Sequence, residues 1–286
     1  MNERLFLRLD DDPVQGPEAD APAGTLRALP VGAALRAHVS HVLLCREDFA
    51  AGQEVVERVL PDGAVRLIFN LGEPASPSAA VVGASTGPAL VRLRGRVDGV
   101  SLTLRPGAVA GLLGLPAGEL AGIALPLDAL WHGEGAQLLA RMAEAPDDAV
   151  RMAWLQSALQ RRLAEAARAS STAQRAATHA AGLIVASGGR RPLREVAAAV
   201  GVGERRLQQL FHAQVGLSPR AWARLARLHG CLRGLRGQAA PDWAEVAVDH
   251  GYYDQSHLVN EFRALCGLTP TEFLGRAVSG SSKTAG

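Results

Sequence analysis

The chain has 286 residues, long enough for two domains that each bury a substantial core. Three scattered cysteines without CxxC spacing argue against a disulfide framework, and no stretch resembles a signal peptide or a membrane helix, so we expect a cytoplasmic protein with no membrane partner. The charge is uneven, since residues 172–286 hold 14 Lys and Arg against 8 Asp and Glu, while residues 1–171 hold 16 against 20. This asymmetry is typical of a nucleic-acid-binding module joined to an acidic partner domain.

The N-terminal part begins with a segment that has no regular spacing of apolar residues. Residues 1–30 are rich in Pro, Ala, Gly and Asp, so we expect a loosely ordered lead-in. Strand patterns follow, and segments 54–60 and 64–71 flank Pro61-Asp62-Gly63. Proline presets the first turn dihedral and glycine accepts a positive one. The pattern predicts a β-hairpin.

A second hairpin is predicted where segments 90–97 and 100–105 flank Asp98-Gly99. Apolar residues occupy every second position from Val100 to Leu104. This alternation predicts a sheet with one buried face.

After Pro106-Gly107 the pattern becomes helical, with helices predicted over 108–115, 127–131 and 135–144 and a long helix that begins at Pro146-Asp147-Asp148. The long helix carries an apolar stripe at spacings of 3, 4, 4 and 3, formed by Met152, Leu155, Leu159, Leu163 and Ala166. Such a stripe packs on its own domain or forms a dimer seam. We place the domain boundary at Ser170-Ser171-Thr172.

The last hundred residues contain a repeat. The first copy, Ala197, Gly201, Leu207, Phe211, Gly216 and Pro219, is echoed by Ala247, Gly251, Leu258, Phe262, Gly267 and Pro270. The steps are 4, 6, 4, 5, 3 and 4, 7, 4, 5, 3. Small residues allow close helix approach, glycine permits a sharp turn, and Leu and Phe four apart form one apolar face. Each copy therefore predicts a helix-turn-helix.

Seven helices are predicted in this part: 173–186, 193–200, 204–215, 219–235, 243–250, 255–266 and 270–276. The third and the sixth follow the glycine turns and are the expected recognition helices. Each ends in a Gly-X-Ser/Thr-Pro sequence, at 216–219 and at 267–270. Glycine ends one helix there, Ser or Thr caps the next, and proline fills its first position.

The second copy closely resembles the C-terminal signature of the AraC/XylS family of bacterial transcription regulators. The resemblance rests on Gly-Tyr-Tyr-Asp-Gln-Ser-His-Leu at 251–258, Phe262-Arg263, Gly-Leu-Thr-Pro at 267–270, and Phe273. Three residues depart from the family pattern: Gly203 replaces a serine cap, and Gln209 and Asn260 replace frequent arginines. These departures bear on base preference and leave the fold intact.

The resemblance implies an α+β protein that binds double-stranded DNA, with residues 31–169 forming a β-rich sensor or dimerisation domain, 173–276 the DNA-binding domain and 277–286 a flexible tail. It implies base-reading roles for Arg205, Gln208, Gln209, Gln255, Ser256, Val259 and Asn260. The phosphate contacts assigned beside them are Arg206, Arg220 and Arg263. Leu207, Leu210, Phe211, Leu258 and Phe262 are core residues by their spacing. The two recognition helices would read successive major-groove segments.

The N-terminal part is similar to an uncharacterised sensor-type domain often fused to AraC-type DNA-binding domains. The similarity lies in the Pro61-Asp62-Gly63 turn with the strand after it, in Leu-Arg-Pro-Gly-Ala at 104–108, and in Leu-Pro-Leu at 125–127 with Trp131. Many AraC-family proteins carry a cupin-like β-barrel there, and the strand-then-helix order is compatible with one. A small-molecule effector, a homodimer and RNA polymerase are the partners implied besides DNA, and activation and repression both remain open.

Two other functions are open: a bifunctional enzyme-regulator, and a constitutive regulator whose N-terminal domain is an interaction scaffold. His38-x-x-His41, with Cys45 nearby, has the spacing of metal ligands, but the surrounding stretch is apolar and lacks a carboxylate partner. We interpret these histidines as packed side chains. We therefore expect no metal and no cofactor. We also expect no enzyme activity, because no nucleophile, base and orienting group can be assembled from the sequence.

Overall fold

The structure, a computed structural model, describes residues 2–6, 21–22, 24–72, 78–166, 172–235, 238 and 240–281. A β-rich N-terminal domain with two sheets precedes an all-helical C-terminal domain, which confirms the predicted α+β class. Within those ranges, no helix is both long enough and apolar enough to cross a membrane.

The strands form two sheets. They are β1 (Asn2–Phe6), β2 (Leu26–Leu29), β3 (Val39–Asp48), β4 (Glu54–Val59), β5 (Arg66–Asn70), β6 (Ser78–Val82), β7 (Ala89–Arg94), β8 (Arg96–Leu104) and β9 (Ala124–Pro126). One sheet has the order β1-β4-β7, with β1 parallel to β4, and the other has the antiparallel order β2-β3-β8-β5-β6-β9. The lead-in expected over residues 1–30 thus contains β1 and β2, a correction explained by their backbone pairing with β4 and β3; residues 7–20 lie outside the described ranges.

Both hairpin predictions are wrong. β4 pairs with β1 and β7, whereas β5 pairs with β6 and β8, so the strands on either side of Pro61-Asp62-Gly63 belong to different sheets. Asp98-Gly99 is no turn, because both residues lie inside β8 and pair with β3. The predicted buried face is confirmed, since Val100 and Leu104 are nearly fully buried.

Helices cover the N-terminal sheets. They are α1 (Val109–Leu113), α2 (Asp128–Trp131), α3 (Glu134–Ala143) and α4 (Asp148–Ala166), with short 3-10 turns at Ala33–Leu35 and Ala117–Leu120. The α4 stripe packs on its own domain, because Leu155 and Leu159 are fully buried in the core cluster that also holds Leu102. Of the predicted domain boundary, residues 170 and 171 lie outside the described ranges.

The C-terminal domain has all seven predicted helices. They are α5 (Thr172–Ala186), α6 (Leu193–Ala199), α7 (Glu204–Val215), α8 (Pro219–Gly234), α9 (Trp243–Asp249), α10 (Gln255–Cys266) and α11 (Pro270–Ser281). We call α6–α7 the first unit and α9–α10 the second unit. The expected flexible tail is helical as far as Ser281, because α11 continues beyond residue 276; residues 282–286 lie outside the described ranges.

Candidate nucleic-acid interface

The two units fold as the repeat predicts. Gly201 and Gly251 each join the two helices of a unit, with φ of +72° and +76°, a left-handed conformation that favours glycine. The small residues of the repeat, Ala197 and Ala247, are buried at 1% and 0% exposure. Their small side chains let the first helix of each unit approach its neighbours closely.

The two recognition helices each separate an apolar face from a polar one. The buried residues of α7 include Leu207, Leu210 and Phe211, and those of α10 include Leu258 and Phe262. The predicted base-reading residues are on the other faces: Arg205, Gln208, Gln209, Gln255, Ser256 and Asn260 are exposed, and Val259 is half-buried. Arg206, Arg220 and Arg263, the predicted phosphate contacts, are exposed as well.

The starts of the recognition helices differ. Gly203 precedes α7 and offers no side-chain cap, whereas the Asp254 carboxylate accepts a hydrogen bond from the His257 backbone N–H, 2.7 Å away, at the start of α10. Capping satisfies an amide that would otherwise lack a partner in the first turn. The second recognition helix is therefore the better capped at its N-terminal end.

The helices that follow have the predicted caps. Ser218 Oγ accepts a hydrogen bond from the Ala221 N–H at 3.1 Å, at the start of α8. At the start of α11, Thr269 Oγ1 accepts from the Glu272 N–H, and the Glu272 carboxylate accepts from the Thr269 N–H. This reciprocal pair is a capping box.

Helix α8 contacts both units and also α5. Its Ala223 shares a buried cluster with Leu207 of the first unit. The Trp222 indole N–H donates to the Ala181 carbonyl of α5 at 3.3 Å, and the Arg227 guanidinium donates to the Gly189 carbonyl at 3.0 Å. Toward the second unit, Arg224 Nε lies 2.8 Å from the Glu261 carboxylate of α10. With 16 residues, α8 is about 24 Å long. These contacts make it a rigid spacer between α7 and α10.

Comparison with known protein families agrees with this geometry. Residues 196–276 match the model of a helix-turn-helix domain of the AraC type, and residues 28–126 match a domain of unknown function, DUF6597. The C-terminal part of the chain therefore contains a helix-turn-helix domain. The predicted resemblance of both parts is thereby confirmed. No curated protein matches the chain.

Solved structures similar to this chain include three of ToxT from Vibrio cholerae. An apo ToxT variant, at 10% identity and a TM-score of 0.40, covers 82% of this chain and 97% of that one. A second ToxT structure has 10% sequence identity and a TM-score of 0.40, and the match covers 79% of this chain and 97% of that one. A structure of wild-type ToxT with a bound unsaturated fatty acid has 10% sequence identity and a TM-score of 0.39, and the match covers 76% of this chain and 88% of that one.

An arginine-rich cleft beside α7 is a feature that sequence reasoning missed. The cleft has a volume of about 490 Å³, and its cationic lining residues are Arg191, Arg194, Arg220, Arg224 and Arg227. Glu204 is the only acidic residue in this lining. Arg191 lies just before α6, Arg194 lies in its first turn, and the other three come from α8. The five arginines therefore come together only because these two parts of the chain pack against each other. A concentration of guanidinium groups favours phosphate groups.

The N-terminal domain holds the end of α7 that is remote from Gly203. The Gly107 N–H donates to the Gln214 carbonyl at 2.9 Å. A Cβ on Gly118 would lie 2.2 Å from the His212 ring, which shows how closely the 3-10 turn Ala117–Leu120 approaches α7. The first recognition helix of the regulator is thus in direct contact with the domain that precedes it.

The second unit of the regulator contains a packed histidine. A Cβ on Gly234 of α8 would lie 2.7 Å from His250 Nε2, so the glycine makes room for the ring. Burial lowers the pKa of His250 below its ordinary value of 6.5. His257 is also structural, because its Nδ1 accepts a hydrogen bond from the Tyr253 N–H at 3.2 Å.

We expect His250 to make the protein acid-sensitive. The unfolded chain takes up a proton near the ordinary pKa of 6.5, whereas the folded His250, whose pKa is lowered, takes up a proton only at a lower pH. Stability is therefore unaffected above about pH 6.5 and falls as the pH drops through that value. In His250→Gln, the free energy of unfolding should fall less between about pH 7.5 and 5.5 than in the wild type, as measured by urea titration. Equal losses in both proteins would contradict the buried neutral histidine.

The N-terminal histidines are packed as interpreted. His41 Nε2 is hydrogen-bonded to Thr103 Oγ1 at 3.0 Å, and its Nδ1 to Ser40 Oγ at 3.0 Å. Burial, with a smaller contribution from the Glu57 charge, raises the pKa of the Cys45 thiol to about 11. A protonated thiol is a poor nucleophile and a poor metal ligand. Across the described residues, no group of three or more His, Cys, Asp or Glu side chains could hold a metal ion.

Proposed function

We propose that residues 173–276 read two successive major-groove segments on one face of DNA, one with α7 and one with α10. The observation that carries the proposal is the attachment of α8 to both units, through buried packing on α7 and an ion pair with α10, while the polar faces of the two recognition helices stay exposed. Successive major-groove segments lie roughly 34 Å apart. A single chain would then bind a long site without internal symmetry.

The exposed side chains have the chemistry for reading bases. Arginine can form paired hydrogen bonds to guanine, and glutamine and asparagine can form them to adenine. Arg205, Gln208 and Gln209 would supply these groups in the first unit, and Gln255 and Asn260 in the second. Ser256 can hydrogen-bond to guanine or to adenine, and the half-buried Val259 can touch a thymine methyl group.

Arginines around these helices would bind phosphate. Arg206, Arg220 and Arg263 are the contacts expected from the sequence, and the cleft beside α7 adds Arg191 and Arg194. Such contacts position a protein on the duplex without reading its sequence.

We infer that residues 31–169 control this DNA-binding domain in the cytoplasm, through an effector, a second copy of the chain or RNA polymerase. The N-terminal domain contacts α7 directly, through the Gly107–Gln214 hydrogen bond and the close approach of Gly118 to His212. These contacts favour a controlling role for the N-terminal domain and disfavour a role as a scaffold alone. A bifunctional enzyme-regulator that works through Cys45 is disfavoured, since burial raises the pKa of this thiol to about 11.

Substitutions on α10 and α7 separate base reading from phosphate contact. Gln208→Ala and Asn260→Ala should each relax the preference at particular base pairs, by about 1–3 kcal/mol. Arg263→Ala should weaken binding to all sequences and reduce the slope of affinity against salt concentration. Fluorescence anisotropy with a selected site and its single-base variants measures both effects.

Arg94→Ala is the control, because Arg94 is an exposed arginine of the three-stranded sheet. It should leave affinity and salt slope unchanged. If Gln208→Ala, Asn260→Ala and Arg263→Ala all behave alike, the assignment of base-reading residues is wrong.

A further inference from the structure

The second unit contains one residue more than the first between its glycine turn and its recognition helix. Val202 and Tyr252 are equivalent, because each donates its backbone N–H to the carbonyl of the buried alanine of its unit, at 3.0 Å and 2.8 Å. Gly203 and Asp254 are equivalent as well, since each directly precedes a recognition helix. Tyr253, between Tyr252 and Asp254, is therefore the extra residue, and the first unit has no counterpart of it.

The backbone of Tyr253 is held by His257 of α10. The Tyr253 N–H donates a hydrogen bond to His257 Nδ1 at 3.2 Å. The His257 ring in turn makes an edge-on contact with the Tyr252 ring, with centroids 5.6 Å apart, and Tyr252 is buried at 4% exposure. The position of Tyr253 ahead of α10 is therefore set by side chains of the second unit itself.

The side chain of Tyr253 is open to solvent. It is 89% exposed, the largest value among the exposed large hydrophobic side chains of the described residues. Water already hydrogen-bonds an exposed phenol hydroxyl, so moving that hydroxyl onto a phosphate group would gain little free energy. The ring differs, because contact with an apolar group removes its apolar surface from water. An apolar partner is therefore the one from which this residue gains most.

Tyr253 lies next to the proposed base-reading residues of α10. Gln255 and Ser256 occupy the first turn of this helix, and both are exposed. In a helix-turn-helix, the N-terminal residues of the recognition helix contact base edges in the major groove. The apolar group that base edges present in this groove is the methyl group of thymine. A thymine beside the bases read by Gln255 and Ser256 would therefore supply the partner that the Tyr253 ring lacks.

We propose that Tyr253 reads a thymine at the edge of the DNA segment bound by α10, by packing its ring against the 5-methyl group. This inference deepens the proposed function and rests on it. Tyrosine suits the role, because its rigid ring has only two side-chain torsions to fix on binding. Since the first unit lacks the residue, the thymine preference is confined to one of the two segments.

Fluorescence anisotropy with the full chain, on the DNA site that the chain selects, tests this contact. Each thymine in the segment whose preference Asn260→Ala loses is replaced singly by deoxyuridine, which removes only the methyl group. One replacement should weaken wild-type binding about fourfold, as expected for one buried methyl-sized group. Tyr253→Ala should bind the thymine and deoxyuridine forms of that position equally. Tyr253→Phe keeps the ring and should discriminate them as the wild type does.

Val259→Ala and Leu90→Ala are the comparison variants. Val259 is the other proposed methyl contact of α10, so its variant should leave the preference at the thymine assigned to Tyr253 intact. Leu90 is a large apolar side chain, 59% exposed on β7 of the N-terminal domain, and Leu90→Ala should retain the wild-type preference. Because the Tyr253 side chain is exposed, Tyr253→Ala should unfold at the same denaturant concentration as the wild type.

A selected site with two blocks whose thymines all tolerate deoxyuridine, or whose α10 block has no thymine, overturns the inference and leaves the proposed function intact. A thymine preference that survives in Tyr253→Ala, that disappears in Tyr253→Phe, or that only Val259→Ala removes also overturns it. If the chain selects no DNA sequence, the proposed function itself fails, and the inference fails with it.

Discussion

Alanine in place of Phe262 is expected to lower the free energy of unfolding by about 3–5 kcal/mol. Phe262 is fully buried, and its ring lies edge-on to Phe273 with centroids 5.6 Å apart. The substitution removes this contact and leaves a cavity in the second unit. Asn260 and Ser256 are on the same helix, so the DNA contacts of α10 should weaken as well. Denaturant titration followed by circular dichroism measures the stability loss.

Phe211→Ala provides the matched comparison. Phe211 is the equivalent residue of the first unit and is also fully buried. We expect a similar cost in stability. For DNA, the two variants should differ: Phe262→Ala should impair the block of bases read by α10, and Phe211→Ala the block read by α7. A stability loss below about 1 kcal/mol for Phe262→Ala would contradict its place in the core.

Removing the Asp98 carboxylate is expected to cost about 3–5 kcal/mol of folding stability. Asp98 is 6% exposed, and its Oδ1 lies 3.1 Å from Arg151 Nη1, which is itself buried at 7% exposure. Asp98→Ala leaves the Arg151 charge without its main partner in the core. The same carboxylate also pairs with Arg46. Urea titration of the full chain checks the size of the loss.

The double variant Asp98→Leu/Arg151→Met separates an unpaired charge from lost packing. Replacing both members of a buried ion pair with apolar residues is often neutral or stabilising. We therefore expect the double variant to be more stable than Asp98→Ala. If instead Asp98→Ala has near-wild-type stability, the ion pair does not stabilise the fold.

The same aspartate shows why part of the fold could not be predicted. Asp-Gly is a strong local turn signal, but Asp98 is held inside β8 by Arg151, a residue 53 positions away. The Pro61-Asp62-Gly63 turn was likewise predicted to close a hairpin. It lies instead against α8, where Pro61 O accepts a hydrogen bond from His229 Nε2. Strand partners are set by such long-range contacts, which local sequence does not contain.

The C-terminal helices were predictable because their signals are local. The caps at Ser218 and Thr269 involve residues within one turn, and helical periodicity alone decides that Leu207 is buried while Gln208 is exposed. The base-reading residues on the opposite faces are predicted from the family resemblance, not from periodicity. The arginine-rich cleft was missed, because it is formed by elements far apart in the sequence.

Selection from a random double-stranded DNA library with the full chain tests most directly whether α7 and α10 each read one major-groove segment. The account predicts an enriched sequence with two blocks of preferred bases, centred about one helical turn apart. Gln208→Ala should lose preference in one block only and Asn260→Ala in the other. Enrichment of a single block, or of no sequence, would contradict the claim that α7 and α10 read DNA together.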